Sequence, residues 1–226
     1  MFLSKSIAEI HKRISLAASA RNVDLVAVTK TVSVAALTEA YGLGLRNFGE
    51  NKVQELLEKK SLLPQDIHWH MIGRLQTNKV KDILGKVALI HSLDRVDLYE
   101  KIVAEAHKIK LSQVECLLQV NMIGEISKAG FAPDQISEFL NQVAADSPVK
   151  IKGLMTMAPL TENRDEIRAV FRATQALMEK LKRTHSQFGW QHLSMGMSGD
   201  FEIAIEEGAT MVRIGTALFG ARTVKF

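Results

Sequence analysis

Eight short apolar runs alternate with longer amphipathic stretches along this chain, and that alternation narrows the possible folds more than any other feature. The runs cover residues 25–30, 47–51, 67–73, 87–93, 114–122, 151–157, 192–196 and 211–215. Between them lie segments with helical spacing, such as SVAALTEAYGLG, NKVQELLEKK, RVDLYEKIVAEAHKI and RDEIRAVFRATQALMEKLKR. Start signals agree: Ser33 precedes VAALTEA, and Pro133 opens DQISEFL, where its missing N–H costs nothing. Strands that alternate with helices form parallel sheets. No Pro-, Gly- or Ser-rich linker divides the 226 residues, a length close to the roughly 250 of a closed eight-stranded barrel. The expectation is an α/β fold, a single (β/α)8 TIM barrel over residues 1–226, with an extra helix at its N-terminal end.

That extra helix comes from MFLSKSIAEIHKRISLAAS, where Leu3, Ile7, Ile10, Ile14 and Ala17 recur at helical spacing and Ser6 with Glu9 fits a capping box. Charged residues interrupt any apolar block, so the segment is not a secretion signal. No apolar run approaches the roughly 20 residues that cross a bilayer. The one cysteine, Cys116 in VECLLQV, suits strand packing in a reducing cytoplasm. Net charge is +4, yet 29 basic residues are interleaved with 25 acidic ones and no aromatic-laced basic stripe occurs, which argues against nucleic acid as a partner.

An open doubly wound sheet is the rival fold, and its nucleotide signatures fail. GLGLRNFG is not G-x-G-x-x-G and follows a helix, while GEISKAG (124–130) lacks the spacing and the final Lys-Ser/Thr pair of a phosphate loop. GMSGD has Asp200 where a nucleophile elbow needs glycine.

In a parallel barrel the active face is the C-terminal rim, and phosphate groups tend to bind after strands seven and eight. Here those strands end in LSMGMSGD and RIGTALFG. The first offers Ser194, Ser198 and small-residue amides; the second offers Gly215 and the Thr216 hydroxyl, a set suited to a phosphate dianion. Period-two alternation puts Met211, Arg213 and Gly215 on one face of strand eight. If that face is inward, Arg213 needs an acceptor in the barrel mouth, either a ligand or an acid on a neighbouring strand. Lys30 ends strand one at the same rim. With a phosphate cradle across the barrel, its amine is placed to form a Schiff base with a phosphorylated carbonyl compound. Asn51, closing strand two, could hydrogen-bond a polar ring substituent.

Together the segments VAVTK, FGEN, HMIGRLQTNK, IHSLD, GLMTM and LSMGMSGDFEIAIEEGATMVRIGTALFG resemble the pyridoxal 5′-phosphate homeostasis family, single barrels similar to the N-terminal domain of alanine racemase. The resemblance implies pyridoxal 5′-phosphate held as an imine on Lys30. It also implies phosphate contacts from Ser194, Gly215 and Thr216, a ring-side contact from Asn51, and Arg213 facing the pyridine nitrogen. His70 and Asn78 fall near the pocket with no defined role. A role in storing and delivering the cofactor follows, with PLP-dependent apoenzymes as recipients, no membrane partner, no turnover reaction and no metal. Two other readings stay open. His68 and His70 in HWH, with His91, Asp94 and His192 to complete a set, could form a metal hydrolase site, against which stands the expected position of His68 deep in the barrel. Alternatively, Lys30 could act as a Schiff-base aldolase. Racemase activity is not expected, because it needs a second acid–base group, and Tyr41 and Tyr99 fall in outer helices in a chain that ends at Phe226.

Overall fold

In the computed structural model, which describes residues 2–125 and 129–220, eight parallel strands pair in sequence order and the last returns to the first. They are β1 (Asp24–Val28), β2 (Asn47–Glu50), β3 (His68–Met71), β4 (Leu89–Leu93), β5 (Val114–Gln119), β6 (Val149–Met155), β7 (His192–Ser194) and β8 (Met211–Ile214). The helices are α1 (Phe2–Ala18), α2 (Val34–Gly42), α3 (Val53–Leu62), α4 (Val80–Ile83), α5 (Val96–Lys108), α6 (Gln135–Gln142), α7 (Arg164–Thr184), α8 (Phe201–Glu206) and α9 (Thr216–Phe219). The expected barrel and its extra N-terminal helix are both present. Of the segment read as no phosphate loop, residues 126–128 lie outside the described residues.

The strands are continuous apolar runs because both faces are buried. Inside the barrel Val26, Leu89, Leu117, Met155 and Met211 pack into one small cluster. Outside, alternate residues meet the helices; Phe48 and Trp69, for example, pack edge to face with ring centres 5.8 Å apart. Closure is tight between β6 and β7. Gly153 has φ +147°, and a Cβ there would sit 1.8 Å from the carbonyl oxygen of His192. Opposite it, the register of β5 shifts between Cys116 and Leu117. Cys116 is fully buried, as strand packing requires, and burial pushes its thiol pKa far up.

Local expectations are adjusted in three places. Ser33 caps α2 as read, with Ala36 N–H donating to its hydroxyl at 3.3 Å. Ser6 is no cap, because α1 begins at Phe2 and the Ser6 hydroxyl donates back to the Phe2 carbonyl at 3.1 Å. The buried stripe of α1 ends on Ala18, with Ala17 only half-buried, and it packs against α8 and α9. Pro133 lies in the turn before α6, whose cap position is Asp134. Among the described residues no helix is long and apolar enough to cross a membrane.

Candidate functional site

Closure of the ring makes β1 the direct neighbour of β8, with Ala27 level with Ile214. Lys30, just past β1, therefore stands beside the turn after β8 and not across the barrel from it. Asn51 follows β2, the neighbour on the other side. Thr216, Lys30 and Asn51 thus follow one another around the C-terminal rim.

Lys30 is partly exposed, and among the described residues its amine has no hydrogen-bond or ion-pair partner. The chain on either side of it is held firmly. Lys59 is 5% exposed on the buried stripe of α3, and spends its three ammonium protons on the Thr29 carbonyl (2.7 Å), Glu50 Oε1 (2.7 Å) and Glu55 Oε1 (2.6 Å). The Thr29 hydroxyl donates to Glu50 Oε1 at 2.5 Å, and the Thr31 N–H donates to Glu55 Oε1 at 2.5 Å. Thr31 takes a left-handed conformation, φ +61°, which turns the chain at the rim. Glu50 is fully buried; burial raises its pKa, against hydrogen bonds from Lys59 and Thr29 that lower it. These five residues form a clamp around Lys30 that the motif reading missed. The available signal was a lysine on the apolar stripe of a helix facing a glutamate on the helix side of β2.

Arg213 points inward, as alternation required. Its Nη1 donates to Ser194 Oγ at 2.6 Å and its Nη2 to the Thr156 carbonyl at 2.9 Å. Among the described residues it has no ion pair; Asp200 is the acid whose charge it feels, and burial lowers its pKa to about 10. Its Nε–H has no acceptor there either. Ser194 is fully buried, and its Oγ also lies 3.0 Å from His91 Nδ1. His91 Nε2 in turn lies 2.9 Å from His70 Nδ1. An arginine can only donate, so Ser194 accepts from it. The two imidazoles continue this buried chain, and among the described residues the buried His70 Nε2 has no partner. Burial holds both rings neutral: the pKa of His70 falls to about 3, and that of His91 well below its ordinary value.

The Ser194 hydroxyl is thus engaged inside the barrel with Arg213 and His91. The hydroxyl beside the turn after β8 is that of Ser198, which accepts from Ala217 N–H at 3.2 Å. Among the described residues the N–H groups of Ser198 and Gly199 have no acceptor, and the exposed Thr216 hydroxyl has no partner. Gly215 is the cap residue of α9.

The metal reading finds no ligand set. Among the described residues no group of three or more His, Cys, Asp or Glu could hold an ion. His68 is not deep in the barrel: it starts β3 at the opposite, N-terminal end, exposed, with Nδ1 3.2 Å from Asn47 Oδ1. Asp94 pairs with Arg95 at 2.5 Å. Asn78 is exposed and lies in the short 3-10 turn Thr77–Lys79.

Residues 6–223 match the family model described as alanine racemase, N-terminal domain. A pyridoxal phosphate homeostasis protein of Aquifex aeolicus is 46% identical over 222 residues, covering 97% of this chain and 96% of that protein. Its counterpart in Schizosaccharomyces pombe is 37% identical over 217 residues, 94% of this chain and 90% of that one. Among solved structures, PipY of Synechococcus elongatus with PLP bound superposes with a TM-score of 0.86 at 34% identity, covering 96% of this chain and 100% of that one. Alanine racemase of Bartonella henselae shares the fold alone, with a TM-score of 0.69 at 16% identity, covering 96% of this chain and 61% of that one. A closed barrel of this kind, matched along nearly all its length by relatives of one description, places the chain in the pyridoxal phosphate homeostasis protein family, within the alanine racemase N-terminal domain family.

Proposed function

We propose that this chain binds pyridoxal 5′-phosphate at the C-terminal mouth of its barrel, linked to Lys30 as a Schiff base, and serves to hold the cofactor and hand it to apoenzymes in the cytoplasm. The observation that carries the reading is Lys30 itself: an amine without a partner among the described residues, fixed on both sides by a buried clamp, next to a turn rich in unclaimed donors. The donor set fits the ligand. Ser198, Gly199, Gly215 and Thr216 would take the phosphate, whose charge suits unpaired amides and hydroxyls. Asn51 would meet the ring side, and the free Nε–H of Arg213 would donate to the pyridine nitrogen. Ser194 would hold Arg213 in place, a different task from the phosphate contact that the resemblance implied. The PLP bound to PipY and the description of the curated relatives support this assignment.

Bound to a lysine, this cofactor offers an electrophilic carbon and a ring that can accept electrons from an adjacent carbanion. The residues around it favour retention over turnover. Arg213 cannot give up a proton, so it leaves the ring nitrogen unprotonated and the ring a weak electron sink. Racemisation also needs a second acid–base group near the substrate carbon. Both tyrosines are engaged towards the opposite end of the barrel, Tyr41 with Asp66 (2.8 Å) before β3 and Tyr99 with Ser147 (3.1 Å) before β6.

The test is direct. Protein as purified should absorb as a pyridoxal imine, and borohydride should fix the cofactor on the peptide containing Lys30. Lys30→Ala should be colourless. An adduct on Lys60 or another surface lysine would reject the assignment. Incubation of the yellow protein with L-alanine should yield no D-isomer at ordinary enzymatic rates, of order 1–10³ per second.

A further inference from the structure

The HMIGRLQTNK segment remains without a task in this scheme, yet it walls a cavity of about 600 Å³ on the rim of β2, β3 and β4. Four cations line that cavity: Lys52, Arg74, Lys79 and Arg95. Their acidic partners are few. Asp94 serves both guanidiniums, at 3.4 Å from Arg74 Nε and 2.5 Å from Arg95 Nη1, and Asp97 adds a contact to Arg95 at 2.9 Å. Lys52 and Lys79 have no ion pair among the described residues. The floor is apolar, formed by the buried side chains of Met71 and Leu75. The amide groups of Gln54 and Gln76 and the hydroxyl of Thr77 stand on the walls.

The wall is built, not draped. Gly73 lies so close to β2 that a Cβ on it would fall 2.3 Å from the Asn51 carbonyl oxygen. The Ile72 N–H donates to the Glu50 carbonyl at 2.9 Å, and the Ser92 hydroxyl donates to the Gly73 carbonyl at 2.6 Å. Arg95 Nη2 donates to the Leu75 carbonyl at 3.1 Å. A cavity of a few hundred Å³ with an apolar floor and a few convergent polar groups is what small-molecule sites look like.

We propose that this cavity is a second ligand site, specific for a small organic phosphate, with the phosphate held by Arg74, Lys79 and Lys52 and the body of the molecule laid over Met71 and Leu75. Two lysines without an ion pair, beside an arginine that shares its aspartate, call for an anion, and more than one cation favours a dianion over a single carboxylate. The volume exceeds what a bare inorganic anion fills. Asn51 lines the cavity too, so its occupant adjoins the residue at the edge of the Lys30 site. The proposal does not depend on whether Lys30 carries a cofactor.

Calorimetric titration of the purified protein with inorganic pyrophosphate, adenosine 5′-monophosphate and adenosine provides the test. Both phosphates should bind with a dissociation constant below about 1 mM, and adenosine at least about tenfold more weakly. Arg74→Gln with Lys79→Gln should cost both phosphates about tenfold or more, while Thr216→Val should leave this binding in place. Arg74 exposes 69% of its side chain, so the double variant should keep its fold; Lys52→Gln is the second variant should it not. Binding of neither phosphate, or binding unchanged in both cavity variants, would overturn the site. Binding of pyrophosphate alone would overturn its assignment to an organic phosphate. A colourless protein that still bound both phosphates in this pattern would reject the Lys30 reading and leave this one standing.

Discussion

A lysine with all three protons spent inside a protein is there for what it holds. Lys59 neutralises Glu50 and Glu55 and pins the Thr29 carbonyl. Removing one partner of such a group strands the other charge, which costs about 3–5 kcal/mol, whereas removing both costs far less. Lys59→Met is therefore expected to lower the urea-unfolding free energy by about that amount, with much of it regained in Lys59→Met combined with Glu50→Gln. A single variant within about 0.5 kcal/mol of the parent would show the clamp to be slack. A second prediction separates two serines. Ser198→Ala and Thr216→Val should each weaken pyridoxal 5′-phosphate by roughly ten- to a hundredfold, one charged hydrogen bond, and pyridoxal much less. Ser194→Ala should weaken both ligands alike, since it acts through Arg213, and equilibrium titration of the two ligands distinguishes the patterns. That Lys30, Asn51, Gly215 and Thr216 fall at the C-terminal rim and Arg213 inside the barrel was legible, because strand-end position and alternation locate them. The engagement of Ser194 with Arg213 and His91 was not, since Ser194 and Ser198 belong to one segment and only side-chain contacts tell them apart. Glu50 and Lys59 were hidden for another reason: a charged pair buried between strand and helix reads in sequence as two surface residues.

Elements were the most legible level. Each strand contains its apolar run's centre, and the differences lie at the ends, as with β5, which stops at Gln119 although the apolar run reaches residue 122. Periodicity could not reveal how β6 meets its neighbours. Gly153 sits where the register of β5 slips and where the His192 backbone presses closest. Gly153→Ala forces a Cβ into a backbone atom in a conformation that L side chains rarely adopt. We expect a loss of at least about 3 kcal/mol, read as a lower urea midpoint. By contrast Gly85→Ala meets nothing within 4 Å and carries only the strain of φ +73°, so it should cost about 1–2 kcal/mol.

At the scale of the whole molecule, acid should loosen the barrel from within. His70 titrates near 3 when folded, mainly through burial, against about 6.5 in an unfolded chain, so between those values the unfolded chain binds more protons. Stability then falls as pH drops below about 6.5, by on the order of 2 kcal/mol at pH 5 from His70, with His91 acting in the same direction. His68, His192 and Arg213 all add positive charge nearby, while Glu50, with its raised pKa, works in the opposite sense. Urea midpoints at pH 5 and 7.5 should differ accordingly, and His70→Gln should narrow the gap. The pairing of β1 with β8 has a consequence of another kind. It seats Lys30 beside the turn after β8, so the two halves of the proposed site do not coexist until the ring has shut. During synthesis a cofactor bound as proposed would find no complete seat on a nascent chain that has not yet released β8. Seated there, it would bridge the seam as a rivet does. Each tenfold rise in free cofactor above its dissociation constant should then add about 1.4 kcal/mol against opening of that seam.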